Sequence, residues 1–91
     1  MGAVADAIER KIRGALAPTA LVIIDDSAKH AGHSGAREGG ESHFTVEIVS
    51  AVFEGKSRVA RQRLVYDLLK GEFDEGLHAL ALVTKTPAEA G

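Results

Sequence analysis

The octapeptide HFTVEIVS, residues 43–50, carries the clearest periodic signal in the chain. Its apolar side chains Phe44, Val46 and Ile48 occupy alternate positions. Successive side chains of a β-strand point to opposite faces of a sheet, so this alternation predicts a strand with one face on the core. The opposite face is then formed by His43, Thr45, Glu47 and Val49.

A second strand is predicted upstream, at residues 20–25, whose sequence is Ala-Leu-Val-Ile-Ile-Asp. This run is rich in β-branched side chains, which is typical of a strand that is covered on both faces. Between the two strands, residues 27–41 hold four glycines and no large apolar side chain that could anchor to a core. We therefore expect a hairpin with a long exposed connection, in which residues 28–41 form a flexible loop.

An amphipathic helix is predicted before the first strand, over residues 3–16. Apolar side chains recur there every four positions, with charged residues between them, and this spacing places them on one face of a helix. Pro18 ends the helix because proline cannot continue it. The apolar stripe consists of Val4, Ile8, Ile12 and Leu16.

A second helix is predicted over residues 58–70, after a turn at residues 53–56. Ser57 is a suitable N-cap, since its hydroxyl can accept a hydrogen bond from a backbone N–H of the first turn. The apolar side of this helix includes Val59, Leu64, Val65, Leu68 and Leu69.

The remaining chain predicts a third strand at residues 77–85. Gly71 and Gly76 bracket a short irregular piece before it, and residues 86–91 form a short tail. The element order is therefore α-β-β-α-β within a single domain, residues 1–91. A strand–helix–strand crossover is almost always right-handed, which makes the third strand parallel to the second. We expect an α+β fold of two layers, with both helices on one face of a three-stranded mixed sheet.

Composition excludes several classes of protein. The chain has no cysteine, so disulfides, thiolate metal ligands and cysteine nucleophiles are excluded. Its net charge of −2 argues against an obligate binder of nucleic acid or anionic membranes. No apolar run approaches the roughly 18 residues that span a bilayer, and residues 1–13 lack the apolar core of a signal peptide. We expect a cytoplasmic protein that is a monomer when alone.

Four histidines are the candidate metal ligands, since imidazole is the main borderline ligand of a chain without cysteine. His30 and His33 lie three positions apart in the glycine-rich loop, where the backbone can bend around an ion. On spacing alone, chance clustering of solvated histidines explains the pair equally well. His43 leads a strand, where a structural role is the better interpretation, and His78 opens the last strand.

No catalytic constellation is present in the sequence, and we expect that the protein is not an enzyme. None of its serines lies in a Gly-x-Ser-x-Gly context. The glycines of the loop match neither a phosphate-binding loop nor a dinucleotide fingerprint, because no strand–glycine–helix order surrounds them.

Basic residues cluster at the start of the second predicted helix. Arginines that flank a helix N-terminus can bind phosphate, so the cluster is a candidate nucleic-acid surface. A solvated helix face is the simpler interpretation, and no aromatic side chains interleave with the charges for base stacking. The cluster consists of Lys56, Arg58, Arg61 and Arg63.

Seven separated motifs together resemble the BolA-like protein family. They occur in order over nearly the whole chain: His-Ala-Gly-His (30–33), Glu-Ser-His-Phe (41–44), Ile-Val-Ser (48–50), Phe-Glu-Gly-Lys-Ser (53–57), Arg-Gln-Arg-Leu-Val-Tyr (61–66), Gly-Leu-His-Ala-Leu (76–80) and Lys-Thr-Pro-Ala-Glu (85–89). The resemblance implies an α-β-β-α-β fold related to the type II KH domain, in agreement with the order derived above. One departure is Gln62, where the family commonly has histidine.

The resemblance also implies a partner and a cofactor. BolA-like proteins pair with monothiol glutaredoxins that carry a Cys-Gly-Phe-Ser active site, and the heterodimer shares a [2Fe–2S] cluster. The glutaredoxin cysteine and a glutathione hold one iron, and histidines of the BolA-like protein supply the other ligands. Carried over to this chain, the ligands are His78 and either His30 or His33, with His43 as a third choice. The isolated protein is expected to hold no cluster.

The resemblance leaves one alternative from a different class of function. Some family members are described as DNA-binding transcriptional regulators that use the KH-like helix–turn region. The basic cluster defined above supports this alternative, and the net charge of −2 opposes it.

Overall fold

The protein is described from a computed structural model, which covers residues 3–25, 43–74, 77 and 79–91. The described chain follows the predicted order, with two further short helices. Its elements are α1 (Ala3–Leu16), β1 (Ala20–Asp25), β2 (His43–Val49), a 3-10 turn (Ala51–Phe53), α2 (Arg58–Leu68), α3 (Lys70–Asp74), β3 (Ala79–Lys85) and α4 (Pro87–Ala90).

Helix α1 has the predicted bounds and the predicted buried stripe. Its four stripe residues are all less than a tenth exposed, and Arg13 pairs with Glu9 one turn earlier on the outer face at 2.8 Å. The chain leaves the helix through Ala17, whose φ of 43° is left-handed, a conformation that commonly ends helices. Pro18 follows and excludes a further helical turn.

The sheet has the predicted mixed topology, in the order β1-β2-β3. Strand β1 runs antiparallel to β2, and β3 runs parallel to β2. The central strand β2 directs Phe44, Val46 and Ile48 into the core, where each is at most 2% exposed. These side chains meet the stripe of α1 and the buried residues Val65 and Leu69 at the C-terminal end of α2, which gives the two-layer α+β fold.

The prediction that β1 is covered on both faces is wrong. Leu21 and Ile23 pack against the core, whereas Val22 and Ile24 are 47% and 44% exposed. In the part of the chain that the structure describes, the helices supply one covering layer, so only one face of β1 is buried. The β-branched residues therefore indicate a preference for strand structure here, but they do not indicate that both faces of the strand are buried.

Four details of the second half of the chain also differ from expectation. Val59 is 61% exposed, because the buried face of α2 is set by Val65, and Val59 lies six positions earlier on another side of the helix. The predicted helix over 58–70 ends at Leu68, and Gly71 belongs to α3 rather than to an irregular piece. Strand β3 begins at Ala79, two residues later than predicted.

Residues 86–91 are not a loose tail. Thr86 caps α4 and accepts a hydrogen bond from the Glu89 N–H, while the Glu89 carboxylate accepts one from the Thr86 N–H. This reciprocal capping box, with Pro87 at the first turn, makes a short helix stable where an isolated turn would fray. The predicted flexible loop, residues 28–41, lies outside the described residues.

Candidate functional site

Three strand ends meet at one end of the sheet. The last residue of β1, Asp25, pairs with Phe44 in β2, and Phe44 pairs with Leu80 in β3. His43, the first residue of β2, pairs with Ala79, the first residue of β3. The chain that joins β1 to β2 therefore leaves and re-enters the sheet where β3 begins. We call this the histidine end of the sheet.

Three of the four candidate ligands, His30, His33 and His78, lie outside the described residues. Chain connectivity still relates them to the histidine end. His30 and His33 belong to the segment between Asp25 and His43, and His78 directly precedes Ala79. The sequence indicated these histidines one by one. The strand pairing brings together Asp25, His43 and Ala79, the described residues that bound the segments containing them.

His43 is described and is 8% exposed. It begins β2 on the face opposite Phe44, and its burial favours the structural role over that of an exchangeable ligand. Among residues 3–25, 43–74, 77 and 79–91, no three histidine or acidic side chains are grouped so that they could hold a metal ion.

Two described residues that lie near position 78 in the sequence, Leu77 and Leu80, have hydrogen-bonded main-chain groups. Leu77 is 3% exposed, and its N–H donates to the Glu72 carbonyl at 3.0 Å. On the other side, the Tyr66 hydroxyl donates to the Leu80 carbonyl at 2.7 Å. The ring of Tyr66 lies 6.0 Å from that of Phe73, which orients it. Sequence reasoning placed Tyr66 in a motif but missed this contact, since spacing within α2 does not reveal a bond to β3.

A partly buried ion pair fixes α3, and with it Glu72, against α1. Lys11 Nζ lies 2.8 Å from a Glu72 carboxylate oxygen, and the Glu72 side chain is 8% exposed. Gly71 permits this approach, because a Cβ at that position would lie only 3.3 Å from Lys11 Nζ. This pair was not predicted, because its two residues lie 61 positions apart in the sequence.

The predicted basic cluster divides into two kinds of residue. Lys56, Arg58 and Arg63 are exposed. The Arg61 side chain is 11% exposed and pairs with Glu89 of α4 at 2.7 Å. Arg61 also donates to main-chain carbonyls of three residues, namely Phe53, Lys56 and Thr84. Arg61 thus ties α2 to β3 and α4, and its charge is already compensated.

The same contacts alter the acid–base behaviour of Glu89. Hydrogen bonds from the Arg61 guanidinium, and next from the Thr86 N–H, lower the pKa of Glu89 from 4.5 to about 2. Both donors stabilise the ionised carboxylate. The motif Lys-Thr-Pro-Ala-Glu (85–89) indicates the capping box, because its threonine precedes its glutamate by three positions.

No helix within the described ranges is both long enough and apolar enough to cross a membrane.

Comparison with known proteins identifies the chain's relatives. Residues 12–89 match the family described as BolA-like protein. The chain is 51% identical over 88 residues to Protein BOLA1, chloroplastic, of Arabidopsis thaliana, and 50% identical over 86 residues to SufE-like protein 1, chloroplastic/mitochondrial, of the same plant. These matches cover 94% and 90% of this chain but only 55% and 23% of the relatives' own lengths. The compartments in those names differ from the cytoplasmic one expected here, which stays a prediction.

Comparison with solved structures identifies the same family. The solved BolA domain of SufE1 from Arabidopsis thaliana superposes with a TM-score of 0.88 at 48% identity, covering 98% of both chains. The match therefore includes the sheet order and the flanking helices as well as the motifs. This chain belongs to the BolA-like protein family.

Proposed function

We propose that this protein is the partner of a monothiol glutaredoxin and shares a [2Fe–2S] cluster with it. His78 and one of the loop histidines, His30 or His33, would be the ligands from this chain. The observation that carries the proposal is the meeting of strand ends Asp25, His43 and Ala79 at the histidine end. Family membership supplies the partner, and the heterodimer would act in iron–sulfur cluster trafficking or in iron and redox regulation.

The metal ligands that this chain can supply account for half of such a site. A [2Fe–2S] cluster needs four ligands, and a chain with four histidines and no cysteine offers only imidazoles. A glutaredoxin cysteine and a glutathione thiolate would complete the set. On this account the isolated protein is a colourless monomer without iron, and the cluster forms only in the heterodimer.

Imidazole ligands suit a cluster that is sensed or handed on. Replacing thiolates by neutral histidines raises the reduction potential of a cluster. Histidine ligation is also lost on protonation, with an unperturbed pKa near 6.5. In this chain Leu77 and Leu80, which lie on either side of position 78 in the sequence, are both buried.

The protein is proposed to act through binding and not as an enzyme. The DNA-binding alternative is weakened as a second candidate, since Arg61, one of its four cations, is paired with Glu89. Binding of duplex DNA would be recognised by a steep loss of affinity with rising salt.

The test is reconstitution of the heterodimer. The protein is mixed with a Cys-Gly-Phe-Ser glutaredoxin, glutathione, ferrous iron and sulfide, and the visible absorption and circular dichroism spectra are recorded. His78→Ala is expected to change the spectrum and shorten the cluster lifetime while leaving the melting temperature unchanged. An unchanged spectrum and lifetime would reject His78 as a ligand, and a large fall in melting temperature would instead make it a packing residue.

The loop ligand is identified by a matched pair of variants. His30→Ala and His33→Ala change the same side chain three positions apart, so each is the control for the other. One is expected to alter the spectrum and the other to leave it unchanged. If neither alters it while His43→Ala does, the second ligand is His43; if none of the three does, the proposed ligand set is wrong.

A further inference from the structure

A groove lies at the sheet end opposite the histidine end, where β3 finishes beside α2 and α4. Its floor is strand β3 at Leu82 and Val83, whose side chains lie on opposite faces of the sheet, and Val83 is 38% exposed. Its walls are charged and carry Arg58, Arg61, Lys85 and Glu89.

The groove has an excess of positive charge. Three cations face one carboxylate there, although the whole chain has a net charge of −2. Glu89 compensates Arg61, whereas the Arg58 and Lys85 side chains make no hydrogen bond or ion pair with any residue that the structure describes. Two uncompensated cations thus flank an apolar floor.

The contact between Arg61 and Glu89 demonstrates that a carboxylate fits in this groove. The guanidinium Nη1 and Nη2 atoms donate to the two carboxylate oxygens at 2.7 and 3.3 Å. The Arg61 Nε donates to the Phe53 and Lys56 carbonyls, which fixes the orientation of the guanidinium plane. Such a paired arrangement is the geometry by which arginine recognises carboxylates.

The floor of the groove is also the free edge of the sheet. Strand β3 is outermost in the order β1-β2-β3, and the Leu80 and Thr84 carbonyls accept side-chain donors from Tyr66 and Arg61. Backbone groups of alternate residues in a strand point to the same side. The N–H and C=O of Leu82 therefore face outward between these two side chains, where an extended peptide can add to the strand.

We propose that this groove binds an extended acidic peptide segment of a partner protein. The peptide main chain would pair with Leu82, its apolar side chains would lie on Leu82 and Val83, and its carboxylates would bind Arg58 and Lys85. A peptide fits better than a nucleic acid because the floor is aliphatic and none of the groove's side chains is aromatic for stacking.

The proposed groove is separate from the proposed cluster site. Ala79 is the first residue of β3, and at about 3.3 Å per residue it lies about 10 Å from Leu82 and about 20 Å from Lys85. An acidic segment could therefore be bound while the histidine end is engaged. The inference goes beyond the proposed function and does not depend on it.

The test uses a fluorescein-labelled hexapeptide, Glu-Val-Val-Glu-Glu-Val, which presents glutamate and valine on both faces of an added strand. The same peptide with glutamine in place of glutamate is the uncharged probe. Amide chemical shifts of the whole protein are followed during titration up to about 1 mM peptide. The acidic peptide is expected to shift the amides of residues 82–85, and the glutamine peptide is expected to bind at least ~5-fold more weakly. No binding of the acidic peptide, or shifts confined to other regions, would overturn the proposal.

Two variants of α2 provide the matched control. Arg58→Glu and Arg63→Glu make the same charge change on exposed residues of one helix, but only Arg58 lines the groove. Arg58→Glu is expected to weaken binding about tenfold or more, and Arg63→Glu less than about threefold. Equal weakening by both variants, or tighter binding of duplex DNA than of the peptide with both arginines required, would overturn the proposal in favour of a general basic surface.

Glu89→Gln tests whether the internal carboxylate competes with the external one. Glutamine keeps the side-chain oxygen that caps the Thr86 N–H, so α4 is retained while the negative charge is lost. The acidic peptide is expected to bind about 3-fold to 10-fold more tightly to this variant. Unchanged or weaker binding would contradict a carboxylate site in this groove.

Discussion

The two ends of the sheet are held by different kinds of contact. Where β2 and β3 finish, polar side chains bind main-chain carbonyls: the Ser50 hydroxyl donates to Leu16 at 2.6 Å, and Arg61 donates to Thr84 at 3.3 Å. At the histidine end, Leu77 and Leu80 are buried, and the Tyr66 hydroxyl donates to the Leu80 carbonyl at 2.7 Å.

Because of this difference, we expect one end of the sheet to contribute mainly to stability and the other to the proposed cluster site. The polar-bonded end joins α1, β2, β3 and α4 through side chains whose partners are already fixed. The histidine end is where the segment between β1 and β2 joins the sheet. Substitutions at the first end should therefore change the free energy of unfolding, and those at the second should mainly change the proposed site.

The largest effect is expected for Phe53→Ala. Phe53 is completely buried beside the polar-bonded end, and the Arg61 guanidinium carbon lies 5.9 Å from the centre of its ring. Removal of a buried aromatic ring leaves a cavity and costs about 3–5 kcal/mol. Urea denaturation measures the loss. The control is Val52→Ala, since Val52 is 40% exposed and should cost less than about 1 kcal/mol. Similar costs for both would mean that this end is not tightly packed.

A smaller loss is expected for Ser50→Ala. The fully buried hydroxyl donates to the Leu16 carbonyl and accepts from the Val52 N–H, so its removal takes a partner from two main-chain groups, of which the Leu16 carbonyl belongs to a buried residue. The expected cost is about 1–3 kcal/mol in the free energy of unfolding. Ser57→Ala removes a hydroxyl from the exposed cap of α2 instead and should cost about 1 kcal/mol. A cost for Ser50→Ala below that of Ser57→Ala would contradict the importance of the buried bond.

Tyr66→Phe examines the histidine end. It keeps the ring beside Phe73 and removes only the hydroxyl that binds the Leu80 carbonyl. The net cost is expected to be about 0.5–1.5 kcal/mol, with the largest amide shift changes in residues 77–81. Changes centred on β1 or α1 instead would show that the hydroxyl does not act locally.

The smallest effect is expected for Glu89→Gln, and it should appear in the pH dependence of stability. The pKa of Glu89 is about 2 in the folded protein and 4.5 ordinarily, so the ionised carboxylate stabilises the fold. A lowered pKa gives a contribution that is complete above pH 4.5 and disappears as the pH falls towards about 2. The variant should therefore lose less stability than the wild type between these values in acid denaturation. The Glu89 carboxyl carbon shift, followed by NMR, should give a midpoint near pH 2, and a midpoint near 4.5 would refute the pairing.

Local patterns in the sequence were sufficient to predict much of the framework of helices and strands in this protein. The four-residue spacing of α1, the alternation of β2 and the Ser57 cap each involve neighbours along the chain, so the sequence predicted them correctly. The α-β-β-α-β order and the handedness of crossovers then restricted the sheet to one mixed arrangement, which is the one observed.

Contacts between distant residues required the tertiary structure. The exposure of Val22 depends on how many layers cover the sheet, which no strand encodes in its own composition. Arg61 looked like part of a basic surface, but its partner Glu89 lies 28 positions away. The reason is physical: hydrogen bonds and ion pairs form wherever the packed elements bring donors within about 3 Å of acceptors. Sequence spacing determines which face of a helix or strand a residue occupies, and only the packing determines what that face meets.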